Sequence, residues 1–405
     1  MSQNFDRQLT SSQFVDDPYS TGRQLRSEAP VYWCEPWGAW VLSRYSDIRS
    51  VYTDAVRFKS RGRINALFQH LPQETLQQLA LLQEHFSAGL LHSDLPDHTR
   101  LRNLVSQAFT PRVIAGMRRR IQALVDELLD AVKCQGRMDV IEDFAFPLPA
   151  TVISELLGIP PSDRDQFREW AGGIISFQGN ARPSVESVLH AQDCVREARA
   201  YFGELFEQRR REPAGDLISG LVAAEEQGDR LSEAELMTTC VTLLVGGHET
   251  TTSLISNGML LLLDFPDQMR SLRDDLSLIS SAVKEMLRYE SPAQRGFRLV
   301  AQDTEIDGTP IRQGQLLCLL LGVGNRDPEH FPDPDRFDIT REAKQHLAFG
   351  GGIHFCLGAP LATLEAEIAL ATLLMRFPDM KIERGRPEWA DNAMLRRLKS
   401  LPVAF

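Results

Sequence analysis

Cys356 is the residue of this chain whose type and surroundings could do chemistry most directly. It lies in the decapeptide Phe349-Gly-Gly-Gly-Ile-His-Phe-Cys-Leu-Gly358, just before a segment, 359–377, whose leucine and isoleucine residues repeat at helical spacing. A thiol at the start of a helix faces unpaired backbone N–H groups and the positive end of the helix dipole, and both favour the thiolate. Gly350 and Gly352 can adopt backbone angles closed to other residues, so the loop can fold tightly against a flat ligand.

The other cysteines are interpreted as small buried hydrophobic residues: Cys34, Cys134, Cys194, Cys240 and Cys318. The chain contains neither a CxxC pair nor an HExxH sequence, so a zinc site is not expected. A single thiolate without a second protein ligand suits a metal whose other positions are already filled. Heme iron bound by one axial cysteine is such a metal.

The decapeptide resembles the heme-binding loop of cytochrome P-450 monooxygenases, F-x-x-G-x-H/R-x-C-x-G, and meets every fixed position. The resemblance covers nearly the whole chain and is of the soluble bacterial type. It implies a heme b cofactor, with Cys356 as the iron ligand and Phe349 and Gly350 beside the cofactor. It also implies a mainly α cytochrome P-450 fold with a smaller β region, in which a long central helix lies over the heme.

The resemblance further implies one domain over residues 1–405. Its β-containing part is expected at about 28–60 and 293–345, and its helical part at about 96–290 and 356–377.

A second motif, Gly246-Gly-His-Glu-Thr-Thr-Thr252, lies within the predicted central helix. Two adjacent glycines cost a buried helix about 1 kcal/mol each relative to alanine. They indicate either close approach of a flat group or small molecule, or a helix-packing contact. The motif resembles the oxygen-binding groove of the same family, A/G-G-x-D/E-T, with Gly246 and Gly247 beside the cofactor. The resemblance implies that Glu249 is the acid and Thr250 the alcohol that deliver protons to dioxygen; His248 receives no role.

Four cationic or hydrogen-bonding residues are candidates to bind the two heme propionates. His98 and Arg102 are four positions apart, hence on one helical face, within Pro96-Asp-His-Thr-Arg-Leu-Arg102. The stretch resembles the family's P-x-H-x-x-x-R element, and Arg298 and His354 occupy the other two matching positions.

An acid and a base also stand three positions apart in Glu285-Met-Leu-Arg288. Such pairs are usually exposed and contribute little to stability. Here the segment and Phe331-Pro-Asp-Pro-Asp-Arg-Phe337 resemble the family's E-x-x-R and P-x-R-F elements. The resemblance implies a buried charge network of Glu285, Arg288 and Arg336 that supports the cysteine loop without taking part in the chemistry.

The substrate pocket is inferred from the resemblance alone. Its implied lining is apolar and favours a lipophilic substrate: Phe68, Phe86, Leu90, Leu91, Ile175, Phe177, Leu243, Phe297, Met394 and Leu395. Arg61, Arg63 and Arg295 either meet a carboxylate or phosphate or face solvent.

Local signals predict the elements that must position these residues. Thr110 and Pro111 open a helix that ends before Gly136. Ser232 and Glu235 form a capping box before a run that lasts to Pro266, long enough that this helix should cross the core. Strand-like pieces follow Pro30, Ala39, Thr304 and Gln315.

Composition restricts the partners. The net charge of −11 argues against broad nucleic-acid binding. The start of the chain shows no secretory h-region, and the longest apolar stretch, 254–263, is shorter than the roughly 20 residues of a membrane span, so a cytoplasmic enzyme without a membrane anchor is expected. Six arginines and no acidic residue lie between positions 98 and 125. They form either a solvated helical face or a docking patch for an acidic electron carrier.

These observations favour a monooxygenase acting on a lipophilic small molecule, for which the family suggests a secondary metabolite. It would hydroxylate or epoxidise that molecule with O2. Electrons would come from NAD(P)H through a ferredoxin reductase and a ferredoxin, because the chain shows no nucleotide fingerprint. Two alternatives remain: a peroxide-driven heme peroxygenase, which would lack the acid–alcohol pair, and a non-catalytic heme-thiolate sensor.

Overall fold

Helices dominate the computed structural model, which describes residues 4–178, 182–226, 231–342, 345–392 and 394–405. Within those residues the helices are α1 (Asp6–Leu9), α2 (Ser12–Asp16), α3 (Pro18–Glu28), α4 (Tyr45–Thr53), α5 (Arg63–Phe68), α6 (Gln73–Gln78), α7 (Ala80–Ser87), α8 (Asp97–Ser106), α9 (Pro111–Lys133), α10 (Pro147–Leu157), α11 (Arg164–Gln178), α12 (Val185–Arg211), α13 (Leu217–Glu226), α14 (Glu233–Asp264), α15 (Pro266–Asp274), α16 (Ile279–Tyr289), α17 (Leu321–Gly324) and α18 (Ala359–Arg376). The predicted mainly α fold is therefore confirmed.

Short strands form the smaller β region: β1 (Val31–Cys34), β2 (Ala39–Leu42), β3 (Phe58–Lys59), β4 (Arg137–Asp139), β5 (Arg295–Val300), β6 (Thr304–Ile306), β7 (Thr309–Ile311), β8 (Leu316–Leu320), β9 (Lys381–Ile382) and β10 (Pro402–Ala404). The largest sheet has the order β1-β2-β8-β5-β3. Its β2 and β8 pair in parallel, with Ala39 opposite Leu316, and β5 runs antiparallel to β8, with Phe297 opposite Cys318. The pairing joins the two predicted β-containing parts of the chain.

The central helix α14 is as long as its capping box and following proline predict. Ser232 accepts a hydrogen bond from the backbone N–H of Glu235, whose side chain accepts one from the backbone N–H of Ser232. The helix has 32 residues, or about 48 Å at 1.5 Å per residue. Most of its middle is buried between α10, α11, α12 and α18. Of its motif, His248, Glu249, Thr251 and Thr252 are buried, whereas Gly246 is exposed and Gly247 and Thr250 are half-buried.

Helices α9 and α18 pack together next to the cysteine loop. Thr110 caps α9 by accepting from the N–H of Val113, as predicted. Helix α9 packs on α18, the helix that follows the cysteine loop, and both bury leucine and isoleucine residues in one hydrophobic cluster with the C-terminal half of α14.

The cysteines meet the expectation of burial with one exception. Cys34, Cys194, Cys240 and Cys318 are buried, but Cys134 is exposed. That prediction is wrong for Cys134 because the residue caps the C-terminus of α9, beyond the last buried turn. Across the described ranges, the helices never combine the length and apolar character that crossing a membrane requires.

Candidate active site

The loop before α18 holds Cys356 in a closed turn. The backbone N–H of Cys356 donates to the carbonyl of Phe349 over 2.9 Å. Gly350 and Gly352 have φ angles of +67° and +62°, in the left-handed region that favours glycine. A Cβ at Gly352 would lie 1.9 Å from the carbonyl oxygen of Tyr52, so only glycine fits where the loop crosses the end of α4. The glycines thus fix the loop against its neighbour.

The thiol of Cys356 experiences opposing influences. Burial raises its pKa above the ordinary value, while the N–H groups of Gly358 and Ala359 and the charge of Arg102 lower it. The helix end therefore acts in the predicted direction, but burial outweighs it. A bound iron ion would hold the sulfur as thiolate, and the two N–H groups stand ready to donate to that thiolate.

A cavity of about 320 Å³ extends from this cysteine to the central helix. Its walls include Leu90, Leu91, His98, Arg102, Val105, Phe109, Ile153, Thr239, Thr242, Leu243, Gly246, Gly247, Thr250, Thr251, Leu254, Leu287, Pro292, Ala293, Phe349, His354, Cys356, Leu361 and Glu365. The sulfur of Cys356 thus shares one cavity with the glycine–threonine motif of α14.

Gly246 and Gly247 of α14 lie in different surroundings. A Cβ on Gly246 would meet nothing within 4 Å, because this position borders the open cavity. A Cβ on Gly247 would come within 2.8 Å of Cγ1 of Ile153, where α10 packs on α14. Gly247 is therefore a helix-packing contact, whereas Gly246 leaves open space beside the cavity.

The predicted propionate residues gather at one side of the cavity. His98, Arg102 and His354 line it, and the rings of His98 and His354 lie 4.4 Å apart between centroids. Arg298 lies on β5 and is buried, although it does not line the cavity. Burial lowers the pKa of His98, His354 and Arg298.

These residues fit a flat cofactor with two carboxylates. Nε2 of His98 is buried and lacks a hydrogen-bond partner in the part of the chain that the structure describes. Neither Arg102 nor Arg298 forms an ion pair with a described residue; each donates to a backbone carbonyl, that of Ile353 and that of Phe297 respectively. Buried cations without an acidic partner are costly. Anionic groups in the cavity would relieve that cost.

Arg63 is half-buried beside this cationic cluster and does not face solvent. Its Nε is 3.3 Å from Nδ1 of buried His92, and burial lowers the pKa of Arg63 to about 9. Arg61 instead faces solvent and pairs with Asp97. Arg295 is buried, has no acidic partner among the residues that the structure describes, and stacks 4.3 Å from the ring centre of Trp37. Of the three arginines, Arg63 alone therefore belongs to the cationic side of the site.

The acid and the alcohol of α14 face different surroundings. Thr250 lines the cavity and donates from Oγ1 to the carbonyl of Gly246 over 3.1 Å. Glu249 is buried behind the cavity wall, where Oε2 accepts from Nη1 of Arg397 over 3.0 Å. Burial raises the pKa of Glu249, but the contacts with His248 and Arg397 outweigh it and hold the pKa below its ordinary value. Arg397 is 148 positions away, and no sequence signal marked it.

The E-x-x-R pair is buried as predicted. Glu285 and Arg288 have fully buried side chains and form two hydrogen bonds of 2.7 and 2.8 Å. The prediction for the side chain of Arg336 is wrong: it is 68% exposed and lies 3.7 Å from Asp338. Its carbonyl accepts from Arg288 and Arg341, which turns its side chain outward, and Nε of Arg341 contacts Glu285 instead at 3.2 Å.

Three of the ten apolar residues proposed for the pocket line the cavity, and seven do not. Leu90, Leu91 and Leu243 line the cavity. The others pack together beside it in a hydrophobic cluster: Phe68, Phe86, Ile175, Phe177, Phe297, Met394 and Leu395. Within it, the ring of Phe177 lies 5.8 Å from that of Phe68 and 5.5 Å from that of Phe86.

Glu365 is a cavity residue that the sequence reasoning missed. It lies on α18, is 1% exposed, and its Oε2 has no hydrogen-bond partner among the described residues. Burial raises its pKa well above the ordinary value, which favours the protonated form of the side chain. The available signal was an acidic residue one position after Leu364, within an otherwise apolar helical face.

The chain is similar to known proteins along most of its length. A family model described as Cytochrome P450 matches residues 32–400. The cytochrome P450 monooxygenase PikC of Streptomyces venezuelae is 42% identical over 401 residues, covering 97% of this chain and 92% of that protein. The polyketide biosynthesis cytochrome P450 PksS of Bacillus subtilis is 38% identical over 405 residues, covering 97% of each chain.

A solved structure gives the same result for the fold. It is that of P450BioI in complex with an acyl carrier protein ligated to hexadec-9Z-enoic acid, and it matches with a TM-score of 0.90 at 41% identity. The match covers 98% of this chain and 100% of the other.

Proposed function

The chain belongs to the cytochrome P450 family and is a monooxygenase of that family; from this premise we propose that it inserts one oxygen atom of O2 into a C–H or C=C bond of a lipophilic small molecule. The observation that carries the proposal is the single cavity that joins the sulfur of Cys356 to Gly246 and Thr250. We further propose that the chain acts as one domain, since its β region pairs segments from both ends of the sequence.

Family membership implies heme, and the cavity residues would hold it. When bound through a thiolate, heme supplies the iron at which dioxygen is reduced. Cys356 would be its ligand, with the N–H groups of Gly358 and Ala359 donating to the sulfur. His98, Arg102, Arg298 and His354 would neutralise the propionates. Phe349 and Gly350 would hold the cysteine loop in place, and Gly246 and Gly247 would leave space on the opposite side.

Thr250 and Glu249 would manage protons on the α14 side of the cavity. The hydroxyl of Thr250 can orient a water molecule or an oxygen substrate in the cavity, since it lines that space. Glu249 lies just outside the wall and would accept protons from its surroundings and pass them toward Thr250, as a general acid–base group can do.

Electron delivery is proposed to come from NAD(P)H through a ferredoxin reductase and a ferredoxin. Arg112, Arg118 and Arg119 of α9 are exposed and form no ion pair with any described residue. Such charges suit an acidic carrier, whose encounter they would accelerate. Helix α9 packs on α18, the helix that begins beside Cys356, so the patch lies on an element adjoining the site.

The substrate is proposed to be lipophilic because the lining of the cavity is rich in apolar residues, including Leu90, Leu91 and Leu243. The names of two similar proteins support this class. One acts in polyketide biosynthesis, and the other was solved with an acyl carrier protein bearing a long unsaturated acid. A secondary metabolite of this chemical kind is the substrate we expect.

One experiment separates this function from a peroxygenase and from a heme sensor. Hexadec-9Z-enoic acid serves as a probe because it offers both C–H and C=C bonds. We expect heme-loaded protein with NADPH, ferredoxin, its reductase and ¹⁸O₂ to yield a product carrying one ¹⁸O atom, measured by mass spectrometry. Product formed only with hydrogen peroxide would favour the peroxygenase, and no product with either oxidant would contradict the proposal.

The matched control is Cys356→Ser. This variant should weaken heme retention and abolish the long-wavelength absorption band of the reduced carbonyl complex, because the serine oxygen is a poor substitute for a thiolate. If the band survived the substitution, Cys356 would not be the iron ligand.

A further inference from the structure

His248 is a buried titratable residue to which the proposed function gives no part. It lies on α14 next to Glu249 and is 2% exposed. Its Nδ1 is 2.9 Å from the carbonyl oxygen of Leu244. Because a carbonyl can only accept, Nδ1 carries a hydrogen. The other ring nitrogen, Nε2, has no hydrogen-bond partner in the described ranges and lies 3.7 Å from Oε1 of Glu249.

This arrangement is unfavourable unless a further proton is present. In the neutral ring with hydrogen on Nδ1, Nε2 presents a lone pair, and it faces the lone pairs of a carboxylate that is 4% exposed. A buried acceptor left unsatisfied destabilises the fold. One added proton, on either His248 or Glu249, converts the repulsion into attraction. At 3.7 Å the contact is an ion pair and is too long for a hydrogen bond.

The two oxygens of Glu249 therefore face different partners. Oε2 accepts from Arg397, a permanent cation whose side chain is 36% exposed. Oε1 faces His248, whose charge depends on its proton. Arg397 is too basic to donate a proton near neutral pH. Of the two groups that touch the carboxylate, only His248 can exchange one.

The charged groups around His248 lead to the protein surface. Its ring contacts the ring of Phe146, edge to face, with centroids 5.8 Å apart. The guanidinium of Arg168 lies 4.1 Å from the centre of the Phe146 ring and pairs with Glu142 over 2.6 Å.

The charged residues that face the Glu249–His248 pair from neighbouring elements are thus Arg397, Arg168 and Glu142, with Asp165 beside Arg168. Arg397, Arg168 and Glu142 are partly or fully exposed, so the pair lies one residue from solvent.

We propose that His248 and Glu249 hold one exchangeable proton between them and that His248 reprotonates Glu249 after Glu249 has released a proton toward Thr250. In this step the two side chains close from 3.7 Å to hydrogen-bond distance, the N–H bond at Nε2 breaks, an O–H bond at Oε1 forms, and the imidazolium becomes neutral imidazole. Solvent then returns a proton to Nε2. The proposal rests on the proton-relay role of Glu249 and Thr250 in the proposed function. His248 acts through Glu249 and is thus a positioning residue.

The first test measures the protonation of the His248 ring directly and needs no turnover. Holoenzyme labelled with ¹⁵N-histidine is studied by NMR as the ferrous carbonyl complex, which is diamagnetic, and His248→Gln identifies the signal. We expect a larger fraction of doubly protonated His248 in the wild type than in Glu249→Gln at the same pH, because the carboxylate stabilises the imidazolium. Identical His248 signals in the two proteins would overturn the proposal.

The second test measures proton delivery through the fraction of O2 that is released as hydrogen peroxide, without an organic substrate. With NADPH, ferredoxin and reductase, the enzyme consumes two NADPH per O2 when it forms water and one when it forms hydrogen peroxide. We expect His248→Gln to raise the peroxide fraction and to flatten its pH dependence, because glutamine carries no exchangeable ring proton. His248→Phe should behave alike, since both variants fill the space without a titrating ring. Heme content and the reduced carbonyl spectrum check the folding of each.

Thr250→Ala separates the two possible failures. If Thr250→Ala leaves the peroxide fraction at the wild-type level, the relay of the proposed function is wrong. If Thr250→Ala raises that fraction but both His248 variants retain the wild-type fraction and pH profile, the inference about His248 alone is overturned.

Discussion

Replacing Glu285 by glutamine tests how much the buried charge network contributes to stability. The carboxylate accepts hydrogen bonds from Nε and Nη2 of Arg288, from Nε of Arg341 and from the backbone N–H of Asp338, over 2.7–3.2 Å. Glutamine has one acceptor oxygen and places an N–H₂ group against other donors. The fully buried guanidinium of Arg288 would then lack a counter-charge.

The expected magnitude follows from that geometry. Removing one partner of a buried ion pair costs about 3–5 kcal/mol. The entropy of unfolding is about 2.1 cal/mol/K per residue, or about 0.85 kcal/mol/K for 405 residues. The melting temperature of Glu285→Gln should therefore fall by about 4–6 °C, measured by circular dichroism on heme-loaded protein at fixed concentration.

Arg23→Gln is the matched control, because the ion pair of Arg23 with Asp335 is exposed on both sides. Its melting temperature should change by less than about 1 °C, as surface substitutions usually do. In the double variant Glu285→Leu with Arg288→Met, the melting temperature should fall by less than the sum of the decreases in the two single variants, because neither charge is left unpaired. A Glu285→Gln shift as small as that of Arg23→Gln would refute the reasoning.

Three further predictions concern single residues of the site. Burial favours the protonated form of Glu365 in the folded protein, while the unfolded chain releases this proton. The free energy of unfolding should therefore fall as pH rises above about 4.5, by up to about 1.4 kcal/mol per pH unit. Glu365→Gln should remove this contribution to the slope, as measured by urea titrations at several pH values. A variant with the wild-type slope would contradict a protonated Glu365. Arg298→Leu should accelerate heme transfer to apomyoglobin roughly 10- to 100-fold, because the loss of one hydrogen bond to a charged group changes an equilibrium by about that factor. An unchanged rate would exclude Arg298 as a propionate partner. Arg112→Glu should weaken ferredoxin binding, most strongly at low salt, whereas Arg196→Glu on α12 should not; equal effects would exclude a patch on α9.

Sequence reasoning succeeded where the signal is local. The cap of α9, the capping box of α14 and the cysteine loop each depend on residues within a few positions of one another, so their chemistry can be inferred from spacing. Gly352 illustrates this, because its left-handed backbone is a property of the loop itself.

It failed where partners meet through the path of distant loops. Nothing in the sequence pairs Glu249 with Arg397, which the C-terminal segment carries to α14 from 148 positions away. The family pattern implied Arg336 in the charge network, but two arginines hold its carbonyl inward and Arg341 takes the place of its side chain. Several apolar residues assigned to the pocket are equally good core residues, and hydrophobicity alone does not separate the two.

The exposed position of Cys134 has a practical consequence. The burial of Cys34, Cys240 and Cys318 raises the pKa of each thiol, which makes them poor nucleophiles. Cys194 is likewise buried with a raised pKa, and iron would hold Cys356 in heme-loaded protein, so a maleimide fluorophore should attach selectively at Cys134 of that protein. That dye would sit at one end of α9, about 35 Å along the helix from Arg112 near the other end. Energy transfer to a labelled electron carrier would then report, in real time and without turnover, at which end of this helix the carrier arrives.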